Sequence, residues 1–313
     1  MPNTNTERYR GIQGVDITTG MNIFQPENSF RLAHELNKAG HDVKIEVYPT
    51  LDRRVISHIR TIGKKLGIGL PIPPGVTEPD IRKWQEKYPN SEVTRVHLPF
   101  SFNNAELWWL VMDPKTEPIA RFHHLAWIAF IGGAQNMKGV EMAEKLADQN
   151  TGLTVHTNVI EGLAKTGKLE AVKRRVAFVL AENGMPYRSP VLKNKDAISD
   201  PATIMREIVR RYDVDGILLG ADHLVAQGLM PHESLFNPTV VSGIRAMHLA
   251  EPKHDAMKAG RSSYEQFLRA AGDTEFHAPV RATLDFKPTG EPFQDQVKTI
   301  GRTIDWIMRT QGR

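Results

Sequence analysis

Val176-Ala-Phe-Val-Leu-Ala-Glu-Asn-Gly184 is an apolar, Val-containing run that is short enough for one strand and ends in a carboxylate followed by Asn-Gly. A run of this kind reads as a strand covered on both faces. Seven others share the plan: Ile12–Ile17, Val43–Tyr48, Val93–Leu98, Leu153–His156, Ile217–Leu219, Ile244–Leu249 and Val280–Leu284, with Val176–Leu180 fifth in chain order. Helical patterns separate them at Asn28–Ala39, Ala134–Gln149, Val159–Thr166, Pro201–Tyr212, Ser262–Ala271 and Phe293–Thr310. In the first, Phe30, Leu32, Ala33 and Leu36 form the apolar side and Gly40 supplies the stop. Ser199-Asp200-Pro201 is a helix start, a capping residue before proline in the first turn. Eight strand–helix alternations in one composition regime predict an α/β fold, a single (β/α)8 TIM barrel over residues 1–313 with its core at about 11–310. No GxGxxG follows the first run, which weighs against an open doubly wound sheet. The spacing leaves two long gaps, about 49–92 and 99–152, expected to be insertions after strands 2 and 3.

Composition narrows the chemistry. The 313 residues carry 40 Lys+Arg against 36 Asp+Glu, a net +4 that neither requires nor excludes nucleic acid. There is no cysteine, so disulfides, thiol catalysis and Cys-type zinc sites are excluded, and any metal must be held by His, Asp and Glu. The N-terminus MPNTNTERYRGIQG is polar, and the most apolar stretch, Leu125–Ile131, is too short to cross a bilayer. A cytoplasmic protein with no membrane partner is the expectation.

What ends each run carries the chemical information. Strand 3 ends at His97, strand 4 at His156, strand 5 at Glu182, strand 6 with Asp222-His223, strand 7 with His248 and strand 8 with Asp285. In a parallel barrel these C-terminal ends meet in one ring, where active sites lie. Taken singly, such a His is a hydrogen-bonding group and Glu182 a cap for the next helix. Six consecutive strand ends of this kind, in a chain with only 12 His, read instead as a divalent-metal site. Glu46 and Asp16, at the ends of strands 2 and 1, are expected at the same mouth, binding substrate hydroxyls or pairing with Arg53 or Arg54. His123-His124 reads as core or interface packing, Lys173-Arg174-Arg175 as a solvated face, and Arg210-Arg211 as charges suited to a helix C-terminus.

The motifs Leu-Ala-Glu182-Asn-Gly, Ala-Asp222-His223-Leu-Val-Ala-Gln-Gly228 and His248-Leu-Ala-Glu-Pro-Lys-His254 resemble the xylose isomerase-like TIM barrels, from about Gly11 to Ile307. That superfamily includes isomerases and epimerases of sugars and sugar phosphates as well as endonuclease IV. The sugar branch implies one divalent metal (Mn, Co, Fe, Zn or Mg) on Glu182, Asp222, His248 and Asp285, with His223 and His254 as further ligand candidates. It also implies Glu182 and Asp285 as the acid/base pair, and His97, His156, Glu46 and Lys253 as contacts to a sugar or sugar phosphate. The endonuclease IV branch implies His97, His156, Glu182, His223, His248 and His254 as ligands of a trinuclear zinc site acting on abasic DNA. The chain departs from that pattern at Gly220, at Pro252-Lys253-His254 and at Asp285, each of which stands where a different carboxylate pattern is expected. Arg53, Arg54, Arg188, Lys193, Lys195, Lys253, Lys258 and Arg261 in mouth-side loops suit either DNA or a sugar phosphate. A non-catalytic barrel subunit is the third reading, motivated by Gly220, and Trp108-Trp109 suggests a contact that forms a homo-oligomer. The leading expectation is a metal-dependent sugar isomerase or epimerase.

Overall fold

The computed structural model describes residues 8–22, 25–49, 76–98, 138–183, 201–226, 229–250, 264–285 and 292–312, with a few positions between 57 and 67. Eight parallel strands close a barrel: β1 Gly14–Thr18, β2 Val43–Val47, β3 Val93–Leu98, β4 Gly152–His156, β5 Val179–Glu182, β6 Gly216–Gly220, β7 Ile244–Leu249 and β8 Arg281–Leu284. Each pairs with its sequence neighbour, and β8 closes on β1 through Arg281↔Gly14 to Leu284↔Ile17. The expected barrel is the barrel found.

The strands alternate. Residues of one parity, among them Val15, Ile17, Ile45, Val96, Leu98, Leu153, Val155, Leu219, Met247 and Leu284, are buried in the large apolar layer under the helices. The other parity fills the barrel interior, where Leu180, Leu218 and Ala246 form a separate small apolar cluster. Around much of the remaining circumference the interior is polar: Asp16, Arg95, Thr154 and Thr283 lie below, with Glu46, His97, His156, Glu182 and His248 above, all buried. Period-2 alternation is what lets a strand serve an apolar layer and a polar interior at once.

The helices are amphipathic and bury one face each. α1 (Glu27–Lys38) buries Phe30, Leu32, Ala33 and Leu36, as the spacing predicts. α2 (Glu78–Lys87) opens on a Thr77/Asp80 capping box with Pro79 in the first turn, so the end of the first long gap is an ordinary crossover helix. α3 (Lys138–Lys145), α4 (Thr157–Lys165), α5 (Leu169–Lys173) and α6 (Pro201–Tyr212) follow. Two short helices, α7 (Ala221–Ala226) and α8 (Pro238–Gly243), precede α9 (Glu265–Asp273) and α10 (Phe293–Thr310). At the N-terminal end of the barrel, Tyr9–Arg10 pairs antiparallel with Glu275–Phe276, and Gln311 Oε1 accepts from the Ile12 N–H at 2.7 Å. Gly11 makes this approach at φ 68°, where a Cβ would meet the Gln311 Oε1 at 2.8 Å.

Three placements differ from expectation. The fifth strand starts at Val179, not Val176, because Asp215 Oδ2 captures the Val179 N–H at 2.7 Å and Val176 remains in the preceding turn. The sixth stops at Gly220, whose N–H and C=O are both held by the Asn183 side-chain amide at 2.7 and 2.9 Å, and the chain turns directly into α7. Asp222 and His223 therefore stand on the first turn of a helix, not at a strand end. Asp16 sits within β1 rather than at the mouth, bonded to Arg281 Nε at 2.6 Å and to Arg95 Nη2 at 3.1 Å. Trp108, Trp109, His123 and His124 lie outside the described residues.

Candidate metal centre

Five strands bring the site together. Glu46 comes from β2, His97 from β3, His156 and Glu182 from paired positions at the ends of β4 and β5, and His248 from β7. Their side chains are removed from solvent: Glu46 and Glu182 are 0% exposed, His248 1%, His97 2% and His156 4%. Two carboxylates and three imidazoles at that depth require mutual compensation or a cation.

The contacts divide into two faces. On one, His97 Nδ1 and His248 Nε2 reach Glu46 Oε1 and Oε2 at 3.0 and 2.9 Å with hydrogen-bond geometry. On the other, His97 Nε2 and His156 Nε2 lie 3.0 and 3.4 Å from Glu182 Oε2, and His248 Nδ1 lies 2.7 Å from Glu182 Oε1. None of these approaches gives either Glu182 oxygen a well-directed hydrogen bond. His97 Nε2 and His156 Nε2 are themselves 3.1 Å apart. Atoms bound to one divalent cation at about 2.0–2.1 Å stand about 3.0–3.4 Å from each other in octahedral or tetrahedral geometry. The triangle His97 Nε2, His156 Nε2 and Glu182 Oε2, with sides of 3.0, 3.1 and 3.4 Å, has that spacing. Glu46, His97 and His248 form a second group with ligand atoms close enough to hold an ion. The residues present therefore fit a divalent metal.

Beneath the site, Arg95 is buried with its guanidinium Nη2 on Asp16 at 3.1 Å, Glu46 at 3.3 Å and Thr283 at 2.6 Å. At the rim, Asp285 is 8% exposed, accepting from the Thr18 hydroxyl at 3.2 Å and the Tyr48 hydroxyl at 3.4 Å. The Tyr48 ring stacks on His97, centroids 4.9 Å apart and planes at 14°, so one side chain joins Asp285 to the imidazole cluster. His223 stacks on His156 at 5.9 Å, its Nδ1 bonded to the Asn183 carbonyl.

Burial raises a carboxyl pKa and lowers an imidazole one, and neighbouring charge can reverse either. For Glu46 the upward push of burial is overridden by His248 and Arg95, leaving it well below the usual carboxylate range. Glu182 is likewise held well below that range, against burial, by His248, His156 and His97. Burial lowers His97, but Glu182 and Glu46 outweigh it and lift the ring to about 9. His248 is raised well above its ordinary value by the same two carboxylates against the same desolvation. His156 is pushed well below its ordinary value by burial, with Glu182 opposing and the other imidazoles adding to the fall. Without a metal, two imidazoliums thus balance two carboxylates and His156 stays neutral.

A thermal consequence follows. A His pKa raised on folding stabilises fully below the unfolded value, about 6.5, and that stabilisation is lost as pH rises through the folded value. Metal-stripped protein is expected to lose on the order of 3 kcal/mol between pH 6.5 and above pH 9, from the shift of His97 to about 9. Melting temperatures measured in chelator across that window test it, and a flat profile would contradict the charge assignment.

Of the residues singled out in sequence, the structure gathers Glu46, His97, His156, Glu182 and His248, and sets Asp285 at the rim beside Tyr48. Glu46, His97 and His156, expected as substrate contacts, stand within the two potential ligand groups. Lys253 and His254 lie outside the described residues, as does the side chain of Asp222. The same holds for Arg53, Arg54, Arg188, Lys193, Lys195, Lys258 and Arg261. Arg95 and Tyr48 were not singled out. A lone Arg inside a β-branched run is the signal for the first, since a buried strand tolerates it only with an internal counter-charge.

No protein-family model matches the chain, and no curated protein does. Solved structures do. The 3-keto-D-glucoside 4-epimerase YcjR of E. coli, in its apo form, superposes with a TM-score of 0.50 at 13% identity, over 94% of this chain and 98% of that one. A D-psicose 3-epimerase solved in the presence of D-fructose gives 0.53 at 11% identity, over 96% of this chain and 100% of that one. A xylose isomerase domain protein from Alicyclobacillus acidocaldarius gives 0.47 at 13% identity, over 96% and 100%. At these identities the likeness is one of fold, a closed (β/α)8 barrel.

Proposed function

We propose that this chain is a divalent-metal-dependent isomerase or epimerase of a sugar or sugar phosphate. The observation that carries the reading is the convergence of Glu182 with His97, His156 and His248 at the C-terminal end of a closed parallel barrel, where barrel active sites lie. Two barrels that superpose at a TM-score of 0.50 or above are epimerases by name, which supports this choice of reaction.

In this reading Glu182, His97 and His156 hold the cation, with His248 seated against Glu182, and the cation when bound would supply Lewis-acid polarisation of the carbonyl and hydroxyl oxygens of an open-chain sugar. Glu182, enclosed by three imidazoles, serves as a ligand. Proton movement falls to Asp285, whose carboxylate stands at the rim. Its two oxygens are held by Thr18 and Tyr48, so the group is oriented before substrate arrives. Asp285 takes the proton from the carbon next to the carbonyl and returns it to the adjacent carbon, which completes an isomerisation on one face; an epimerisation would require a second donor on the opposite face of the same carbon. Tyr48 links that carboxylate to the face of His97 and keeps it within reach of the metal-facing rings.

The inclusion of His97 and His156 beside Glu182 favours a second reading, an endonuclease IV-like phosphodiesterase, whose resemblance implies that same trio as ligands. Against it stands Gly220, whose backbone is clamped by Asn183 where that pattern has a carboxylate. Deuterium incorporation into a panel of ketoses and ketose phosphates, alongside cleavage of abasic DNA, separates the two. Wild-type protein is expected to exchange a carbon-bound hydrogen of a sugar and leave DNA intact. Asp285→Asn is expected to keep its metal and lower exchange about 100-fold or more. DNA cleavage without exchange would transfer the reading to the phosphodiesterase.

A further inference from the structure

The geometry points to Glu46 as the positioning residue of the centre: it stands outside the His97–His156–Glu182 ligand set and fixes, through its two oxygens, which nitrogen of His97 faces the metal and which of His248 faces the ligand Glu182. The inference rests on the metal-centre reading above and adds a role to it.

The two carboxylates of the site are used differently. Glu46 takes hydrogen bonds of proper geometry on both oxygens, from His97 Nδ1 at 3.0 Å and His248 Nε2 at 2.9 Å. Glu182 has the opposite nitrogens of the same two rings at 3.0 and 2.7 Å, yet neither of its oxygens has a well-directed hydrogen bond. Each imidazole thus spends one N–H on Glu46 and turns its other nitrogen toward Glu182. A neutral imidazole that donates from one nitrogen carries its lone pair on the other, which is how a carboxylate behind a histidine prepares it for a metal. The sense differs between the rings. His97 donates from Nδ1 and presents Nε2, whereas His248 donates from Nε2 and presents Nδ1.

Ligation by Glu46 itself is opposed by what lies behind it. Arg95 Nη2 stands 3.3 Å from Glu46 Oε2, and Arg95 and Glu46 are both buried. A cation on that oxygen would sit beside a guanidinium in a water-poor interior, where like charges repel strongly. It would also need lone pairs on His97 Nδ1 and His248 Nε2, the atoms now engaged with Glu46. Arg95 is tied in turn to Asp16 and Thr283, so Glu46 has a fixed seat from which to orient two rings.

The test uses the full chain loaded with Zn²⁺. Long-range ¹H–¹⁵N spectra of the histidine rings of the wild type are expected to show the proton on Nδ1 of His97 and on Nε2 of His248. The reverse pattern in either ring would overturn the proposal without any variant. Chelator competition on Glu46→Gln, whose amide oxygen accepts where two carboxylate oxygens did, is expected to show Zn²⁺ bound about 10- to 100-fold more weakly at unchanged stoichiometry. Glu46→Asp, which retains both acceptors, is expected to recover part of that loss. Wild-type affinity in Glu46→Gln would overturn the positioning role and leave the metal centre standing. Loss of one of two bound ions would make Glu46 a ligand and overturn it as well. A wild type that binds no Zn²⁺ would overturn this inference and the metal-centre reading together.

Discussion

Glu182→Gln is expected to abolish metal retention and catalysis in a protein that still folds. The substitution keeps the shape of the side chain and removes the negative charge that faces His97, His156 and His248 at 2.7–3.4 Å. A neutral amide is a far weaker ligand for a divalent cation than a carboxylate, so affinity should fall at least about 100-fold, more than loss of an orienting group causes. With the Lewis acid gone, the rate should drop by about 1,000-fold or more, corresponding to several kcal/mol of transition-state stabilisation. The same change leaves His97 and His248 with Glu46 as their remaining carboxylate partner, which should cost about 3 kcal/mol in metal-free protein at neutral pH. Circular dichroism would establish the fold, and plasma mass spectrometry the metal. A Glu182→Gln protein that keeps wild-type metal occupancy would remove Glu182 from the centre.

The largest effect on stability is expected from Arg95→Met. Arg95 is buried between Asp16 and Glu46, with the Thr283 hydroxyl 2.6 Å from the same nitrogen. Methionine fills comparable space and withdraws the cation, so two buried carboxylates lose a counter-charge together. Removing one partner of a buried ionic cluster costs about 3–5 kcal/mol. For a chain of this size that is a fall in melting temperature on the order of 10 °C. Arg95→Lys should recover part of it, because charge returns on a differently placed ammonium than the Nη2 that meets all three acceptors. Thermal melts of the two variants beside the wild type suffice, and an Arg95→Met protein as stable as its parent would show that Asp16 and Glu46 do not depend on that cation.

The fold was legible because the outward parity of the strands is largely an apolar record: Val15 and Ile17, Val96 and Leu98, Leu153 and Val155 alternate with whatever the interior requires. The ring of imidazoles and carboxylates was legible for the same reason, since a closed parallel barrel carries all strand ends to one mouth. Which of those groups meet was not. His97 and His156 lie 59 positions apart in sequence and 3.1 Å apart in space. Glu46 and His248 are separated by 202 positions and joined at 2.9 Å. Such pairings depend on strand stagger, which alternation leaves open. Asp16 was misread because a carboxylate inside a strand looks, in sequence, like one at its end. Its partners Arg95 and Arg281 are supplied by other strands. Asp222 was misplaced by a local device, the Asn183 amide that closes on Gly220 so that the chain enters a helix before Asp222 is reached. By contrast, the Thr77-Glu-Pro-Asp80 start of α2 was present in the sequence as a complete capping signal inside a stretch read as an insertion.

The central claim is that the buried Glu182, His97, His156 and His248 constitute a metal centre. It is tested most directly by counting metal per chain in protein purified without chelator and without a His tag. The account predicts about one divalent ion per chain, lost in Glu182→Gln and restored to stripped wild type by adding Mn²⁺, Co²⁺ or Zn²⁺. A chain that holds no metal and takes none up would contradict it, and would leave the cluster as an ion-paired core of a barrel without this chemistry.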